Sequence, residues 1–299
     1  MTPRVIDLDG INAPITDGGP ANVMTVDVED YFQVSAFEPH IDREQWSGFE
    51  CRLPRVMDRI LQMFADADVR GTFFCLGWVA EHYPELVRRI AGQGHEIASH
   101  GYRHVRVYDQ SEAAFREDVG KTKKLLEDLA GCPVNGYRAA SYSIDDRTPW
   151  AFDVLWDSGY RYSSSIYPIR HDHYGMRDAP RFAFRPGRNA LTEIPVTTVE
   201  VSALRLPCGG GGYFRLLPYA WSKWCIRRVN TVDQRPAMFY FHPWELDPAQ
   251  PRIPGLDART RFRHYVNLDR FERKLQRLVD DFRWVTMMGL YENYLGADV

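Results

Sequence analysis

The chain has 299 residues, 44% hydrophobic and 26% charged, with a formal net charge of −3. This is the composition of a globular protein with a substantial core, and it offers no electrostatic case for nucleic acid or an acidic membrane surface as partner. Five widely spaced cysteines (Cys51, Cys75, Cys132, Cys208 and Cys225) with no C-x-x-C pair exclude a disulfide framework and a thiolate metal site, and suit a reducing compartment.

Residues 1–20 carry Gly, Pro and Asp without periodicity and read as a tail before a single domain over 21–299. No basic start followed by an apolar run is present, nor any apolar run of membrane-spanning length, so the expected location is cytoplasmic. "NVMTVDVE" is β-branched and apolar and ends in acids, which predicts a buried strand carrying carboxylates at its C-terminal end. Leu53, Val56, Ile60, Met63 and Phe64 recur at helical spacing, and "RGTFFCLGW" returns as a strand.

The unit then repeats. "PELVRRIAGQG" is a Pro-initiated helix closed by Gly94, "HEIASH" a strand, and "SEAAFREDVGKTKKLLEDLAG" a helix with Ser111 as N-cap. "NGYRAASYS" reads as a strand, "TPWAFDVLWDSG" as a helix and "YRYSSSIY" as a strand. Strands alternating with helices predict an α/β fold with a parallel sheet, and so many units predict a barrel with its active groups on strand C-terminal ends.

Alternation breaks over 168–220, a Gly/Pro-rich stretch expected to form a cleft-lining insertion. Gly209 to Gly212 lack the Lys-Ser/Thr of a phosphate loop and read instead as a flexible lip bearing Tyr213 and Arg215. His171 and His173 are candidates for a second metal but are expected instead to contact substrate or lie on the surface. "AMFYFHPWE" resumes as a strand, "NLDRFERKLQRLVDDF" is an amphipathic helix, and "RWVTM" a last strand.

Two stretches carry chemistry. In "TVDVEDYF" an extended strand puts Asp27 and Glu29 on one face, with Asp30 at the exit. In "SHGYRH", His100 and His104 are separated by three residues and can share one side of a turn, with His95 just upstream. Two adjacent carboxylates repel, and a cation between Glu29 and the two imidazoles would offset this, leaving Asp27 free as a base toward water. Taken singly, each stretch is equally a solvated surface turn. The 13% aromatic content suits stacking on sugar rings or simply an aromatic core.

From about Val23 to the final strand, these motifs resemble the polysaccharide deacetylases of carbohydrate esterase family 4, the NodB-homology proteins. "TVDVED" resembles that family's acidic first motif and "SHGYRH" its H-[ST]-x-x-H, closest to a subgroup with D-x-E and H-G-Y-x-H. The resemblance implies a distorted (β/α) barrel of about seven strands, with Asp27 as base and Glu29, His100 and His104 as ligands of one divalent ion. Zinc comes first, with cobalt, nickel or manganese as alternatives. Asp30 is the other candidate carboxylate ligand.

"YRAAS" resembles the third motif, R-x-P-Y: Arg138 would orient Asp27, and Ser141 keeps a backbone N–H for the oxyanion although the motif's Pro and Tyr are replaced by Ala140 and Ser141. "YFH" resembles L-x-H, making His242 the general acid that protonates the leaving amine. The fourth motif's aspartate, which would tune that histidine, is absent: Ser163, Ser164 and Ser165 stand there. Tyr142, Tyr213, Arg215 and Trp244 are the expected substrate contacts.

"YPIRHDHYG", "PCGGGGYFRLLP" and "HPWE" resemble a subgroup associated with bacterial exopolysaccharide assembly, which implies an N-acetylated amino sugar as substrate and peripheral association with a membrane export system. The expected reaction is metal-dependent amide hydrolysis releasing acetate. The alternatives are a C–N hydrolase of the same fold acting on a small ring amide, and a catalytically silent sugar-binding protein.

Overall fold

Ala21–Val28 forms β1, and all eight of its residues are buried. Its alternation places Met24, Val26 and Val28 in the larger apolar cluster, shared with the helices, and Ala21 and Val23 in a second cluster within the sheet's curve. By the same period of two, Thr25 and Asp27 follow Val23 onto that inner face. The computed structural model describes residues 20–169, 175–187, 189–202, 204–292 and 295.

After β1 come three 3₁₀ turns (Tyr31–Gln33, Ser35–Phe37 and Arg43–Gly48), then α1 (Leu53–Asp66) and β2 (Thr72–Cys75). Next are α2 (Gly77–His82), α3 (Pro84–Gly92), β3 (Glu96–Ser99), α4 (Glu112–Ala130), β4 (Gly136–Tyr137), α5 (Ala151–Asp157) and β5 (Tyr162–Ser163). Ser111 caps α4 by accepting from Ala114 N, and Gly131 closes it at φ 69°. Apolar rows of α1 (Val56, Ile60, Phe64), α3 (Leu86, Val87, Ile90) and α4 (Phe115, Val119, Leu126) join the outer core.

The break expected over 168–220 holds more structure than its composition suggests. It contributes β6 (Thr192–Glu193) to the main sheet, then the antiparallel hairpin β7 (Thr198–Val201) and β8 (Leu204–Pro207), then α6 (Gly211–Leu216) and α7 (Tyr219–Thr231). The chain ends with β9 (Met238–Phe241), α8 (Ala258–Tyr265), α9 (Leu268–Asp281), β10 (Arg283–Val285) and α10 (Met287–Tyr291).

Strands pair in parallel in the order β9-β1-β2-β3-β4-β5-β6, seven strands in a curled, barrel-like sheet, and β10 pairs with Ala21 to Val23 of β1. β4 and β5 have only two residues each, because the chain turns out of the sheet at once to build the site. Between β6 and β9 the wall is completed by backbone contacts, helped by Met238 N donating to Thr197 Oγ1 at 2.6 Å. Gly209 N donates to Thr197 O at 3.1 Å, Tyr240 N donates to Gly209 O at 2.8 Å, and Gly210 bridges to Tyr240.

The glycine run is therefore wall and not the flexible lip its composition suggested. A Cβ on Gly209 would lie 2.7 Å from Met238 O and 3.1 Å from Thr197 N. Only glycine lets these backbones approach so closely.

Candidate active site

Five segments leaving the sheet meet at one rim. β1 delivers Asp27 with Glu29 and Asp30 just beyond it, β3 runs into His100 and His104, β4 into Arg138 to Tyr142, β5 into Ser164, and β9 into His242. Asp27 Oδ1 accepts from Arg138 Nη1 at 2.6 Å, with the side chains 2% and 0% exposed. Arg138 Nη1 also donates to Thr25 Oγ1, its Nε to Ser164 O and its Nη2 to Ser164 Oγ, while its plane lies 4.0 Å from the Phe74 ring centre. Every guanidinium nitrogen has an acceptor, as a buried arginine requires.

The serines in the fourth-motif position act on this arginine, not on His242. Ser164 takes two of its donors, Ser165 Oγ accepts from Ala139 N at 2.9 Å, and Ser163 Oγ donates to Ser165 Oγ at 2.8 Å. Glu193 Oε1 fixes this loop by accepting from Ser165 N and Ile166 N, each at 2.8 Å.

Glu29, His100 and His104 bring one potential ligand atom each to within 4.8 Å of one another, all buried. His100 Nδ1 lies 2.8 Å from Arg138 O, so that nitrogen carries the proton and Nε2 keeps its lone pair. His104 Nδ1 lies 3.3 Å from Ser35 Oγ, which Ser141 Oγ meets in turn at 2.7 Å. Burial lowers the pKa of both histidines, leaving neutral imidazoles.

Glu29 Oε2 is buried with no hydrogen-bond donor among the described residues, 3.1 Å from His104 Nε2. Burial pushes its carboxyl up to about 7, against the His242 charge, which lowers it. One carboxylate oxygen and two imidazole lone pairs facing each other are all acceptors, an arrangement that fits a divalent cation with positions left for water and substrate. Asp30 points elsewhere: its carboxylate accepts from Tyr31 N, Arg52 N and Leu53 N, tying the first 3₁₀ turn to the start of α1. Of the two candidate carboxylates, Glu29 is the one grouped with the histidines.

Positive φ at His104 (53°), Ser141 (53°) and Tyr142 (51°) marks the two loops that cross the rim. Such backbone in non-glycine residues is costly and concentrates where a site demands it.

His242 Nε2 lies 3.4 Å from Glu29 Oε1 and 3.9 Å from Asp27 Oδ2, and its Nδ1 is 3.6 Å from Glu245 Oε1. Burial alone would lower its pKa, but Glu29, Glu245 and Asp27 outweigh that and push it up to about 9.

The expected substrate contacts divide. Trp244 is 6% exposed, stacks on His242 at 5.2 Å and 17°, stacks on His264 at 4.2 Å, and donates from Nε1 to Glu29 Oε1 at 3.3 Å. It props the site and offers no open face to a sugar. Arg215 is likewise buried, donating to the carbonyls of Arg263, His264 and Val266, so it is not a substrate contact. Tyr142, 6% exposed, packs against Tyr240 at 5.0 Å. Tyr213 lines an open cavity of about 450 Å³, shared with Ile169, Arg177, Leu204, Arg205 and Pro207.

His95 stands at the opposite end of β3 and accepts from Gly71 N, so it takes no part; His171 and His173 lie outside the described residues. Ser35 and Glu245 were missed from sequence. For Glu245 a signal existed: an acid three residues after a strand-end histidine, across one turn.

Fold and site together define a carboxylate and histidine centre at the rim of a curled parallel α/β barrel. Residues 43–162 match the family profile described as polysaccharide deacetylase, and residues 164–292 match a domain of unknown function, DUF3473. Residues 43–162 thus carry a polysaccharide deacetylase domain.

A peptidoglycan-N-acetylglucosamine deacetylase of Bacillus cereus is 38% identical over 78 residues, 26% of this chain and 27% of that protein. A chitooligosaccharide deacetylase of Rhizobium leguminosarum bv. trifolii is 27% identical over 153 residues, 51% of this chain and 65% of that one. The chain thus spans less than two thirds of the length of either relative. A crystal structure assigned as a polysaccharide deacetylase of Mycobacterium smegmatis superposes with a TM-score of 0.58 at 19% identity, covering 94% of this chain and 93% of the other. Among the described residues, no helix is long and apolar enough to cross a membrane.

Proposed function

We propose that this protein hydrolyses the N-acetyl group of an amino sugar within a polysaccharide, releasing acetate and a free amine, and that the natural polymer is a bacterial exopolysaccharide or its precursor. The relatives named above act on N-acetylated sugars of peptidoglycan and chitin fragments, which supports the bond type. Glu29, His100 and His104 would hold one divalent ion, zinc first by their mixed nitrogen and oxygen donors, and when bound it polarises the acetamide carbonyl and acidifies the attacking water.

Asp27 takes the proton from that water, aimed by its bond to Arg138. The backbone N–H of Ser141, on the strained turn over Ala140–Tyr142, would serve the developing oxyanion. His242 then protonates the amide nitrogen so that amine, and not water, departs.

The observation that carries this reading is the meeting of Asp27, Glu29, His100, His104, Arg138 and His242 at one rim from separate segments. It is tested by acetate release from N-acetylglucosamine oligomers by the metal-loaded protein, with Asp27→Asn reducing turnover at least about a hundredfold. Turnover of a ring amide such as allantoin in place of the oligomers would overturn it.

A further inference from the structure

With no aspartate in the fourth-motif position, something else must hold the His242 ring. Its Nδ1 faces a carboxylate supplied locally. One 3₁₀ turn, Pro243–Leu246, folds back so that Glu245 N donates to His242 O at 3.0 Å and Glu245 Oε1 lies 3.6 Å from Nδ1. Glu245 is 1% exposed.

Glu245 is itself anchored. Arg215 Nε lies 3.4 Å from the same Oε1, and Arg215 is fixed by three backbone carbonyls around the end of α8. Room for the carboxylate exists because α6 begins with glycine: a Cβ on Gly211 would fall 1.8 Å from Glu245 Oε2. Trp244, between the two residues in sequence, covers one face of the His242 ring.

Among the described residues, Glu245 Oε2 has no hydrogen-bond partner, and His242 Nδ1 has none within 3.5 Å, Glu245 Oε1 lying just beyond. A buried carboxylate with so little hydrogen bonding is expensive if its task is only to tie α6 to the β9 turn. Placed against a histidine that must turn one nitrogen toward a substrate, it has a use.

We infer that Glu245, braced by Arg215, is the positioning residue of the general acid: it accepts from His242 Nδ1–H, fixing the tautomer and turning Nε2 toward the departing nitrogen. It thereby replaces the missing aspartate from a different place in the chain. The inference rests on the function proposed above.

The test exploits leaving groups. An amide nitrogen must be protonated to depart, whereas 4-nitrophenolate leaves unaided, so loss of acid positioning penalises the amide selectively. In the full-length, zinc-loaded protein, Glu245→Gln is expected to lower kcat on N-acetylglucosamine oligomers about tenfold or more with KM within about twofold, and kcat on 4-nitrophenyl acetate less than about threefold. Glu245→Asp should recover part of the amide rate. The double variant with His242→Ala should be no slower on the amide than His242→Ala alone.

Equal losses on both substrates, or an unchanged amide rate, overturn the inference. Should Glu245→Gln not fold, Arg215→Lys gives the same ratio of amide to ester turnover. Parent protein inactive on the oligomers would sink the proposed function itself, whereas an active parent with an unmoved ratio in the variants sinks only the role of Glu245.

Discussion

Arg138 and Asp27 form a pair 2.6 Å apart in the floor of the site, and neither side chain is more than 2% exposed. Removing one partner of such a pair leaves a buried charge uncompensated, typically at about 3–5 kcal/mol. Arg138→Met should therefore both abolish turnover and cut unfolding free energy by that order. Asp27→Asn keeps the shape and an acceptor for Arg138 but leaves the buried guanidinium charge uncompensated, so it too should cost stability while abolishing turnover. Urea denaturation of both variants and of the double variant Asp27→Asn/Arg138→Met checks this, and losses that simply add in the double variant would mean that Asp27 and Arg138 do not depend on each other.

Glu29, His100 and His104 form a set of facing acceptors, which binds a cation better than it tolerates having none. Chelator treatment should abolish acetate release, with zinc or cobalt restoring it. At 100 times its dissociation constant the ion should add about 2.7 kcal/mol of stability. Elemental analysis should find about one ion per chain, lost in Glu29→Ala and His104→Ala and kept in His242→Ala. Loss of the ion in His242→Ala would make His242 a ligand and not the acid.

At the barrel seam, Gly209 and Gly212 make contrasting neighbours in one run of glycines. A Cβ at 209 meets the Met238 carbonyl at 2.7 Å, while one at 212 meets nothing within 4 Å. Gly209→Ala should cost more than about 2 kcal/mol or prevent folding, because backbone on both sides would have to part. Gly212→Ala should lie within about 0.5 kcal/mol of the parent. Thermal unfolding distinguishes them, and equal midpoints would show the seam to be loose.

That seam also shows where the sequence was opaque. Asp27 with Glu29, and His100 with His104, were legible as two local pairs, the first from the strand period and the second from turn spacing, whereas His242 was marked only by its resemblance to a family motif. The barrel was legible from repeated strand and helix units. Over 168–220, β6 has only two residues and the seam is made by glycine backbone, so no periodicity records it.

Arg215 misled because a charged residue near glycines reads as surface, whereas its partners, the carbonyls of Arg263, His264 and Val266, lie about fifty positions away. Trp244 misled likewise: an aromatic ring after the motif histidine suits a sugar contact until both His242 and His264 are found stacked on it. α7 was hidden by the Gly/Pro-rich run before it, although Tyr219, Ser222, Cys225, Ile226 and Val229 keep helical spacing.

His95 gives a pH signature independent of the site. It packs against the Phe64 and Phe73 rings, accepts from Gly71 N at 3.2 Å, and burial together with Arg70 brings its pKa down to about 4. The unfolded chain takes up a proton near the usual histidine value of about 6.5, while the folded chain refuses it until about pH 4. Stability from this residue is therefore present in full above about 6.5 and drains away as pH falls toward 4, amounting to about 2 kcal/mol by pH 5. Denaturation of the parent and of His95→Gln at pH 7 and pH 5, with chelator in both to remove any metal linkage, should show the parent losing more. Equal losses would mean that His95 already accepts its proton inside the fold, and that the Gly71 hydrogen bond does not hold Nδ1 as an acceptor.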